Sequence, residues 1–362
     1  SFLEGVGVRR KIFTLTLLGV LLSAGGILMI TGSTQISQTE RRQLAQWTRP
    51  TKQGILSGSW MDAAEQAAAD QFPLRDLFRQ GKAQFVYHVL LQADHDGIYF
   101  RNGSAAKLDY PLDEASVSHL LDVMLRIQQK YLNGTSVHVY YSIIPDKNYY
   151  LADWYPTMDY DRLKELTQVL PMTYIDLFPC LTGSSYYRTD PHWRQEALES
   201  VARTLASAMQ ASLHWDFVQQ DAGSFSGAYA GQSGLPLKPD RLTYLTGNTL
   251  THCTAYDMDG KIPIYDWDQI QSRDPYEFFL SGASPVQYLE NVDASTEREL
   301  VIFRDSFGSS LAPLLVSGYR KITLIDLRYV SSDLLDQLVT FEEQDVLFLY
   351  STLLWNQSGT IK

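Results

Sequence analysis

The stretch Leu300-Val301-Ile302-Phe303-Arg304-Asp305-Ser306-Phe307-Gly308 joins an apolar segment to a polar turn. Four consecutive apolar residues between polar ones are typical of a strand that is buried on both faces of a parallel sheet. Residues 309–316 favour a helix, so Ser306 is predicted to lie where a buried strand gives way to a helix. Ligands gather at the carboxyl ends of such strands, which makes this turn a candidate site as well as a key to the fold.

The alternation of strand and helix continues on both sides of this stretch. It predicts an α/β domain with a mainly parallel sheet that is covered on both faces. Residues 214–298 break the rhythm and are predicted to form a partly irregular, antiparallel insertion, in which Asp259-Gly260 makes a hairpin turn. The other predicted strands are 98–100, 137–144, 172–178, 322–327 and 346–350, and the predicted helices are 115–131, 160–170, 193–213 and 332–339.

The N-terminal region predicts a membrane anchor. Residues 12–31 are apolar, uncharged and about as long as a spanning helix, and they follow Arg9-Arg10-Lys11. The basic cluster predicts that residues 1–11 stay in the cytoplasm and that the remainder is exported. Ser23-Ala24-Gly25 resembles a cleavage site, but the apolar run continues beyond it, which favours an uncleaved anchor. Residues 32–91 are predicted to form a polar stalk and a helical segment, and residues 92–362 the main domain.

The composition of the 362 residues limits the possible functions. A hydrophobic content of 45% with 20% charged residues indicates a folded protein with a substantial core. The formal net charge of -11 argues against a nucleic-acid partner, which would need a basic surface. Cys180 and Cys253 either form a disulfide or stay as buried thiols. His252 has no companion at metal-ligand spacing and residues 94–97 favour a tight turn, so no metal and no cofactor are predicted.

A second polar stretch, Asp190-Pro191-His192-Trp193, allows two interpretations. Asp190 and His192 can form an acid–base pair in which the carboxylate orients the imidazole. Alternatively, Asp190 is the N-cap of the predicted helix, Pro191 takes its first position and Trp193 begins its buried stripe.

Ser306 supplies the group that the acid–base interpretation lacks. On a strand-to-helix turn its hydroxyl is exposed beside free backbone N–H groups, which can hold the oxyanion of a tetrahedral intermediate. The alternative is that Ser306 or Ser309 only caps the following helix. Because triads are defined by geometry and not by chain order, Ser306, His192 and Asp190 are predicted as nucleophile, base and orienting carboxylate.

The two stretches together resemble the DHHW family of exported bacterial proteins and are similar to the SGNH-like domains of alginate O-acetylation proteins. The resemblance runs from about residue 37 to 356 and includes Pro145-Asp146-Lys147, segment 70–76 and Asp326-Leu327-Arg328-Tyr329. This sequence departs from the family pattern in two places. Pro191 replaces the first His of the DHHW motif, and Arg304 stands where the acetylation enzymes usually have Gly.

The resemblance implies an SGNH-hydrolase-like, flavodoxin-like three-layer fold and acyl transfer at serine. It assigns the catalytic roles to Ser306, His192 and Asp190. The Ser306 N–H is the expected oxyanion donor, and further candidates for oxyanion or substrate contact are Arg328, Tyr329, Lys147, Tyr187 and Arg304. Its implied partners are a cell-surface polysaccharide and a multispanning membrane O-acyltransferase that supplies acyl groups.

Two alternative functions are compatible with the same sequence features. The protein could be an acetyl esterase that uses the same three residues with water as acceptor. It could also be a non-catalytic glycan-binding or assembly protein that has kept the fold.

Overall fold

The computed structural model describes residues 11–20, residue 23 and residues 33–362. Residues 11–20 are helical. Over these ranges, no helix combines the length and the apolar character that crossing a membrane requires. The predicted anchor, residues 12–31, extends outside the described residues and stays a prediction.

The described chain divides into two compact units. One runs to Gln92 and includes Gly234–Pro236, and the other contains Ala93–Ser233 and Leu237–Lys362. The first unit has an antiparallel pair of short strands followed by three helices. Their bounds are β1 Ile36–Ser37, β2 Arg42–Gln43, α1 Lys52–Ser57, α2 Ser59–Asp70 and α3 Arg75–His88.

The polar region predicted as a stalk is bound to the helices of the first unit. The Arg42 guanidinium donates to both carboxylate oxygens of Asp70 at 2.8 and 2.6 Å, which lowers the pKa of Asp70 to about 2. The Gln71 side chain donates to the carbonyls of Thr34 and Ala45 at 3.0 and 2.9 Å. Segment 70–76 therefore organises the preceding residues 34–45.

The second unit contains an eight-stranded, mainly parallel sheet with the strand order β11-β10-β12-β14-β13-β15-β6-β7. Strands β14, β13, β15, β6 and β7 pair in parallel, whereas β12, β10 and β11 extend the β14 edge in antiparallel fashion. The bounds are β6 His138–Ile144, β7 Thr173–Tyr174, β10 Cys253–Asp257, β11 Gly260–Ile262, β12 Val286–Asn291, β13 Glu299–Arg304, β14 Lys321–Ile325 and β15 Asp345–Ser351. The prediction of an α/β fold with a mainly parallel sheet is confirmed.

Both faces of this sheet are buried. Along β13, Leu300 and Ile302 belong to one hydrophobic core, whereas Val301 and Phe303 belong to another. Successive side chains of a strand point to opposite faces, so the two cores lie on either side of the sheet and give a three-layer arrangement. This burial explains the continuous apolar run that marks β13 in the sequence.

Helices and short strands surround the sheet. The predicted strand 172–178 shrinks to the two residues of β7, and the predicted helix 332–339 is a 3-10 helix at Ser332–Gln337. The helices of the second unit are α4 Glu114–Ile127, α5 Lys147–Leu151, α6 Tyr160–Thr167, α7 Glu199–Ala208, α8 Ala228–Ser233, α9 Asn248–Thr251, α10 Gly308–Leu311 and α11 Thr352–Asn356. Three short antiparallel strands precede α4: β3 Asp94–His95, β4 Ile98–Arg101 and β5 Ser104–Lys107.

The predicted insertion is antiparallel, as expected, but much of it is regular. Strands β8 (Val218–Phe225) and β9 (Asp240–Thr246) form a separate hairpin, and β10 to β12 complete the large sheet. Asp259-Gly260 does form the turn of the β10–β11 hairpin, where Gly260 has a φ of 135° that L side chains rarely adopt. The insertion therefore contributes an edge of the main sheet as well as loops.

The predicted helix at residues 193–213 is wrong at its beginning. Trp193 pairs with Tyr186 in an isolated antiparallel bridge, and the helix α7 begins only at Glu199. The Trp193 indole is fully buried and donates to the Ser310 Oγ at 2.9 Å, which holds this residue out of a helix. Asp190 is therefore not a helix N-cap, and residues 186–193 form a closed loop, called the Asp–His loop below.

Candidate active site

The Ser306 turn lies at the carboxyl end of β13. Asp305 fixes the turn, because its two carboxylate oxygens accept hydrogen bonds from the Phe307 N–H at 3.0 Å and the Ser351 N–H at 2.8 Å. Ser306 is partly exposed, and the next residues form the short helix α10. Within the described part of the chain, the Ser306 N–H donates no hydrogen bond, so it is available to an oxyanion.

The structure brings Ser306, His192 and Asp190 into one hydrogen-bonded line. The His192 Nε2 lies 2.8 Å from the Ser306 Oγ, and the His192 Nδ1 lies 2.6 Å from the Asp190 Oδ1. Asp190 is fully buried and His192 is 8% exposed, so the pair is largely withdrawn from water. These distances are the ones that a nucleophile, a general base and an orienting carboxylate would require.

An aromatic side chain that the sequence did not indicate flanks the imidazole. The Tyr276 ring stacks on His192 with a centroid separation of 3.8 Å and an interplanar angle of 7°. The Tyr276 hydroxyl shares a hydrogen bond of 2.7 Å with the Ser310 Oγ, which also accepts from Trp193. Tyr276 comes from the insertion, 84 residues beyond His192, and no local pattern marks it out from the many other tyrosines.

The backbone of residues 227–228 packs closely against residues 189–190 and covers Asp190. The Ala228 N–H donates to the Asp190 Oδ2 at 3.0 Å, and the Gly227 N–H donates to the Thr189 Oγ1 at 2.8 Å. A Cβ on Gly227 would lie 2.5 Å from the Asp190 Cβ, a separation that real Cβ atoms do not show. Glycine at position 227 is therefore required for this contact, although the sequence offers only an isolated Gly in a loop as a signal.

A buried carboxylate of the β8–β9 hairpin holds the residue before Asp190. Asp240 accepts from the Thr189 N–H at 2.7 Å, from the Thr189 hydroxyl at 2.5 Å and from the Arg188 N–H at 2.9 Å. These bonds satisfy backbone donors that the buried loop would otherwise leave unpaired.

Lys147 supports the Asp–His loop from within the protein. Its buried ammonium group donates to the carbonyls of Ala105, Tyr187, Arg188 and Asp190, the last three at 2.8, 3.2 and 3.3 Å. Burial lowers the pKa of Lys147 to about 7, and the negative charges of Asp190 and Asp240 oppose that shift. The Pro145-Asp146-Lys147 motif therefore acts on the backbone of the loop that carries the candidate base.

Arg304 supports the Ser306 turn from within the protein, as Lys147 supports the Asp–His loop. Its buried guanidinium donates to the Gln287 Oε1 at 2.6 Å and lies 3.8 Å from the Asp326 carboxylate. Burial lowers the pKa of Arg304, and the charge of Asp326 opposes this effect. Gly308 packs directly on the Arg304 side chain, since a Cβ at that position would lie 2.8 Å from the Arg304 Cβ.

Ser306 and His192 line a cleft of about 530 Å³, together with Arg328 and Tyr329. The Arg328 guanidinium donates to Asp326 at 2.9 and 2.6 Å. Burial opposes the charge on Arg328, but Asp326 outweighs that effect and raises the pKa of Arg328. A cation is thus held in the wall of the cleft. The other lining residues are Pro191, Asp305, Phe307, Ser351, Leu353, Leu354, Gln357 and Thr360.

The remaining candidates from the sequence lie behind the cleft. Lys147, Tyr187 and Arg304 are at most 3% exposed and are absent from the cleft wall. The interpretation that these side chains touch a substrate therefore needs correction. Lys147 and Arg304 hold the two segments of the site from inside, and the Tyr187 ring packs edge-on against Phe225 and Tyr276.

The cysteines and the acidic turn form no additional centre. Cys180 and Cys253 are free thiols, and burial raises the pKa of Cys253 to about 12. Asp94 to Gly97 forms the tight turn predicted from the sequence, since Asp96 and Gly97 have φ values of 52° and 74°. Among the residues that the structure describes, no group of three or more His, Cys, Asp or Glu side chains is placed to hold a metal ion.

Known structures share this fold at low sequence identity. No family model matches the sequence, and no curated protein is significantly similar to it. A DHHW family protein from Eubacterium siraeum superposes with a TM-score of 0.55 at 21% identity, over 73% of this chain and 93% of the other. PatB1 of Bacillus cereus gives 0.55 at 17% identity, over 72% and 97% of the two chains. PatB1 with a sulfonyl adduct gives 0.55 at 18% identity, over 72% and 96%. At the level of the fold, this confirms the resemblance to a DHHW family protein that the motifs indicate.

Proposed function

We propose that the protein transfers acyl groups, acetyl in particular, through an ester formed on Ser306. The observation that carries this proposal is the continuous hydrogen-bonded line from the Ser306 Oγ through His192 to the buried Asp190. A partly exposed serine in a cleft, beside an imidazole whose other nitrogen faces a carboxylate, has the arrangement that activates a hydroxyl nucleophile.

The proposed reaction has two steps. The Ser306 Oγ attacks the carbonyl carbon of an acetyl donor while the His192 Nε2 takes the hydroxyl proton, and the Ser306 N–H binds the oxyanion. Collapse of this intermediate breaks the bond to the leaving group, which takes the proton from His192, and acetyl-Ser306 remains. An acceptor hydroxyl then gives its proton to His192 and attacks the ester carbonyl, and the bond to Ser306 breaks as the Ser306 Oγ takes that proton from His192.

We propose a polysaccharide hydroxyl of the cell envelope as the acceptor, which agrees with the resemblance to polysaccharide O-acetylation proteins. The proposal also includes an extracytoplasmic location behind a single N-terminal anchor, and a multispanning membrane O-acyltransferase as the source of acyl groups. PatB1 has been solved with a sulfonyl adduct, and its likeness in fold supports the choice of sulfonyl reagents as probes for Ser306.

The experiment that tests this function follows the release of p-nitrophenol from p-nitrophenyl acetate, with and without added oligosaccharide. A transferase speeds up when a suitable oligosaccharide is present, and mass spectrometry detects the acetylated sugar. Rapid release without any effect of sugars would instead identify an acetyl esterase. Release that is equal in the wild type and Ser306→Ala would contradict both activities and favour a non-catalytic glycan protein.

A further inference from the structure

We propose that the exposed face of α3 lies in the surface of an anionic lipid bilayer and gives the first unit a membrane contact of its own. This face, called the α3 stripe below, consists of Leu77, Phe78, Gly81 and Phe85. Because an α-helix has about 3.6 residues per turn, these four positions share one side of α3. The proposal rests on the predicted anchor at residues 12–31 and does not depend on chemistry at Ser306.

The α3 stripe directs large apolar side chains to the outside. Leu77, Phe78 and Phe85 are 62, 61 and 51% exposed. The buried residues of α3 are only Ala83 and Val86, which are smaller. A surface helix normally shows the opposite pattern, with its larger apolar side chains toward the core. The stripe therefore indicates that α3 has an apolar partner.

No described residue covers the middle of the stripe. Beyond its own stretch of helix, a Cβ on Gly81 would meet no atom within 4 Å. The apolar surface continues past the end of α3, where Val89, Leu90 and Leu91 are all exposed. An exposed apolar surface of this kind marks a site of interaction with a protein or a membrane. Charge and position decide between these two partners.

The charge of the first unit favours an anionic lipid surface. Residues 33–92 contain seven Lys or Arg and five Asp or Glu, which gives a net charge of +2. Residues 93–362 contain 20 Lys or Arg and 35 Asp or Glu, which gives a net charge of -15. Lys82 is exposed and flanks the stripe. Basic residues beside an apolar face with Phe and Leu are typical of helices that lie in the interface of anionic bilayers.

Hydrogen bonds tie the segment before α3 to the end of the predicted anchor. The Thr34 N–H donates to the Gln71 Oε1 at 2.9 Å, and the Gln71 Nε2 donates to the Thr34 carbonyl at 3.0 Å. Thr34 follows residues 12–31 by three positions, which span at most about 11 Å of extended chain. Gln71 precedes Arg75, the first residue of α3, by four positions. With residues 12–31 in the bilayer, the beginning of α3 is therefore held close to the bilayer surface.

The test uses the full chain in vesicles of phosphatidylethanolamine and phosphatidylglycerol, with the photo-cross-linker p-benzoylphenylalanine at one position at a time. The cross-linker replaces Phe78 or Phe85 in the stripe. It replaces Met258 in the matched control, because Met258 is an equally exposed apolar side chain, at 64%, in the turn of the β10–β11 hairpin. Mass spectrometry identifies what each position labels. We expect about tenfold more lipid adduct at positions 78 and 85 than at position 258, since interfacial helices bury their apolar face about 5–10 Å deep.

Two substitutions at Gly81 test whether the apolar character of the stripe is responsible. Gly81→Leu completes the stripe and Gly81→Glu places a charge in it, and both put a better helix former where there is room. With the cross-linker at position 85, Gly81→Leu should keep or raise the yield of lipid adduct. Gly81→Glu should lower that yield about threefold or more, because a carboxylate resists transfer into the interface.

A cross-linker in place of Leu18, within the predicted anchor, reports on the anchor separately. The proposal is overturned if positions 78 and 85 label lipid no more than position 258 does, or if they label mainly a second copy of the chain. Equal yields from Gly81→Leu and Gly81→Glu would overturn it as well. Lipid adducts at position 18 alone would refute the stripe and keep the anchor, whereas none at 18, 78 or 85 would refute both. A failure of Ser306 chemistry would appear independently, as absent turnover of p-nitrophenyl acetate.

Discussion

The Asp–His loop and the Ser306 turn reach the same cleft but are held in different ways. The turn is fixed by neighbouring strands. The Asp305 carboxylate accepts hydrogen bonds from the Phe307 N–H and from the N–H of Ser351, at the end of the adjacent strand β15. The loop is fixed by residues from distant parts of the chain, namely Lys147, Asp240, Gly227 and Tyr276. The position of the proposed nucleophile is thus set by the sheet, whereas that of the proposed base depends on long-range contacts.

This difference extends to the two buried cations of the site. Arg304 binds the side chains of Gln287, which lies in β12, and Asp326, which directly follows β14. Lys147 binds backbone carbonyls of the loop itself. Loss of Lys147 should therefore release the loop that carries the base, and we expect the loop to be the more vulnerable half of the site.

The largest effect is expected from Asp190→Asn. The substituted amide keeps the shape of the side chain but no longer stabilises the imidazolium or fixes its tautomer, so kcat/KM for p-nitrophenyl acetate should fall by about 10³- to 10⁴-fold. Steady-state kinetics measures this loss, and thermal unfolding should show that the fold remains. A loss of less than about tenfold would mean that Asp190 does not orient His192.

A glycine series compares the loop with the turn directly. Gly227→Ala forces a Cβ against the Thr189 carbonyl and Asp190, whereas Gly308→Ala presses on the Arg304 side chain. Overpacking typically costs about 1–3 kcal/mol, and the backbone contact at Gly227 should make its cost the larger of the two. Calorimetric unfolding measures both. Gly359→Ala is the control, because a Cβ there meets nothing within 4 Å. Equal stability of all three variants would contradict the proposed packing.

The pH dependence of stability tests the support that Lys147 gives to the loop. Burial lowers the pKa of Lys147 to about 7, whereas a lysine in the unfolded chain titrates near pH 10.4, as ordinary lysines do. Between these values the unfolded chain binds more protons, so the free energy of unfolding should rise with pH, by at most about 1.4 kcal/mol per unit.

Lys147→Met lacks this titration and is the reference for it. Denaturant unfolding from pH 6.5 to 10 should show the stability of the wild type rising relative to that of the variant. A constant difference over this range would mean that the carbonyl oxygens keep the ammonium group charged throughout. Asp146 adjoins it and has a pKa that burial raises to about 6, so measurements below pH 6.5 would mix the two titrations.

The smallest effect is expected at Tyr276, where two substitutions separate stacking from hydrogen bonding. Tyr276→Phe keeps the ring on His192 and removes the bond to Ser310, so kcat/KM should fall only two- to fivefold, about 0.5–1 kcal/mol. Tyr276→Leu also removes the stacked ring and should lower kcat/KM about tenfold. Identical kinetics for the two variants would show that the stack contributes nothing.

The same contrast explains what the sequence could predict. The Ser306 turn is local, and an apolar run followed by a polar turn is enough to place it at the end of a buried strand. Asp190 and His192 are recognisable as a pair, but their loop looks like a helix start because Pro191 and Trp193 fit helix-capping rules. The Tyr186–Trp193 bridge and the buried indole decide otherwise, and both depend on tertiary contacts. Tyr276, Asp240 and Gly227 lie in the insertion, and no local signal links them to His192.

The most direct test of the central claim is covalent labelling by a sulfonyl fluoride, followed by peptide mass spectrometry. Activation of Ser306 by His192 and Asp190 predicts one sulfonyl group per chain, attached to Ser306. It also predicts that His192→Ala and Asp190→Asn slow the labelling strongly, whereas Gly359→Ala leaves its rate unchanged. Labelling at another residue, or labelling of Ser306 at the same rate in His192→Ala, would contradict the account.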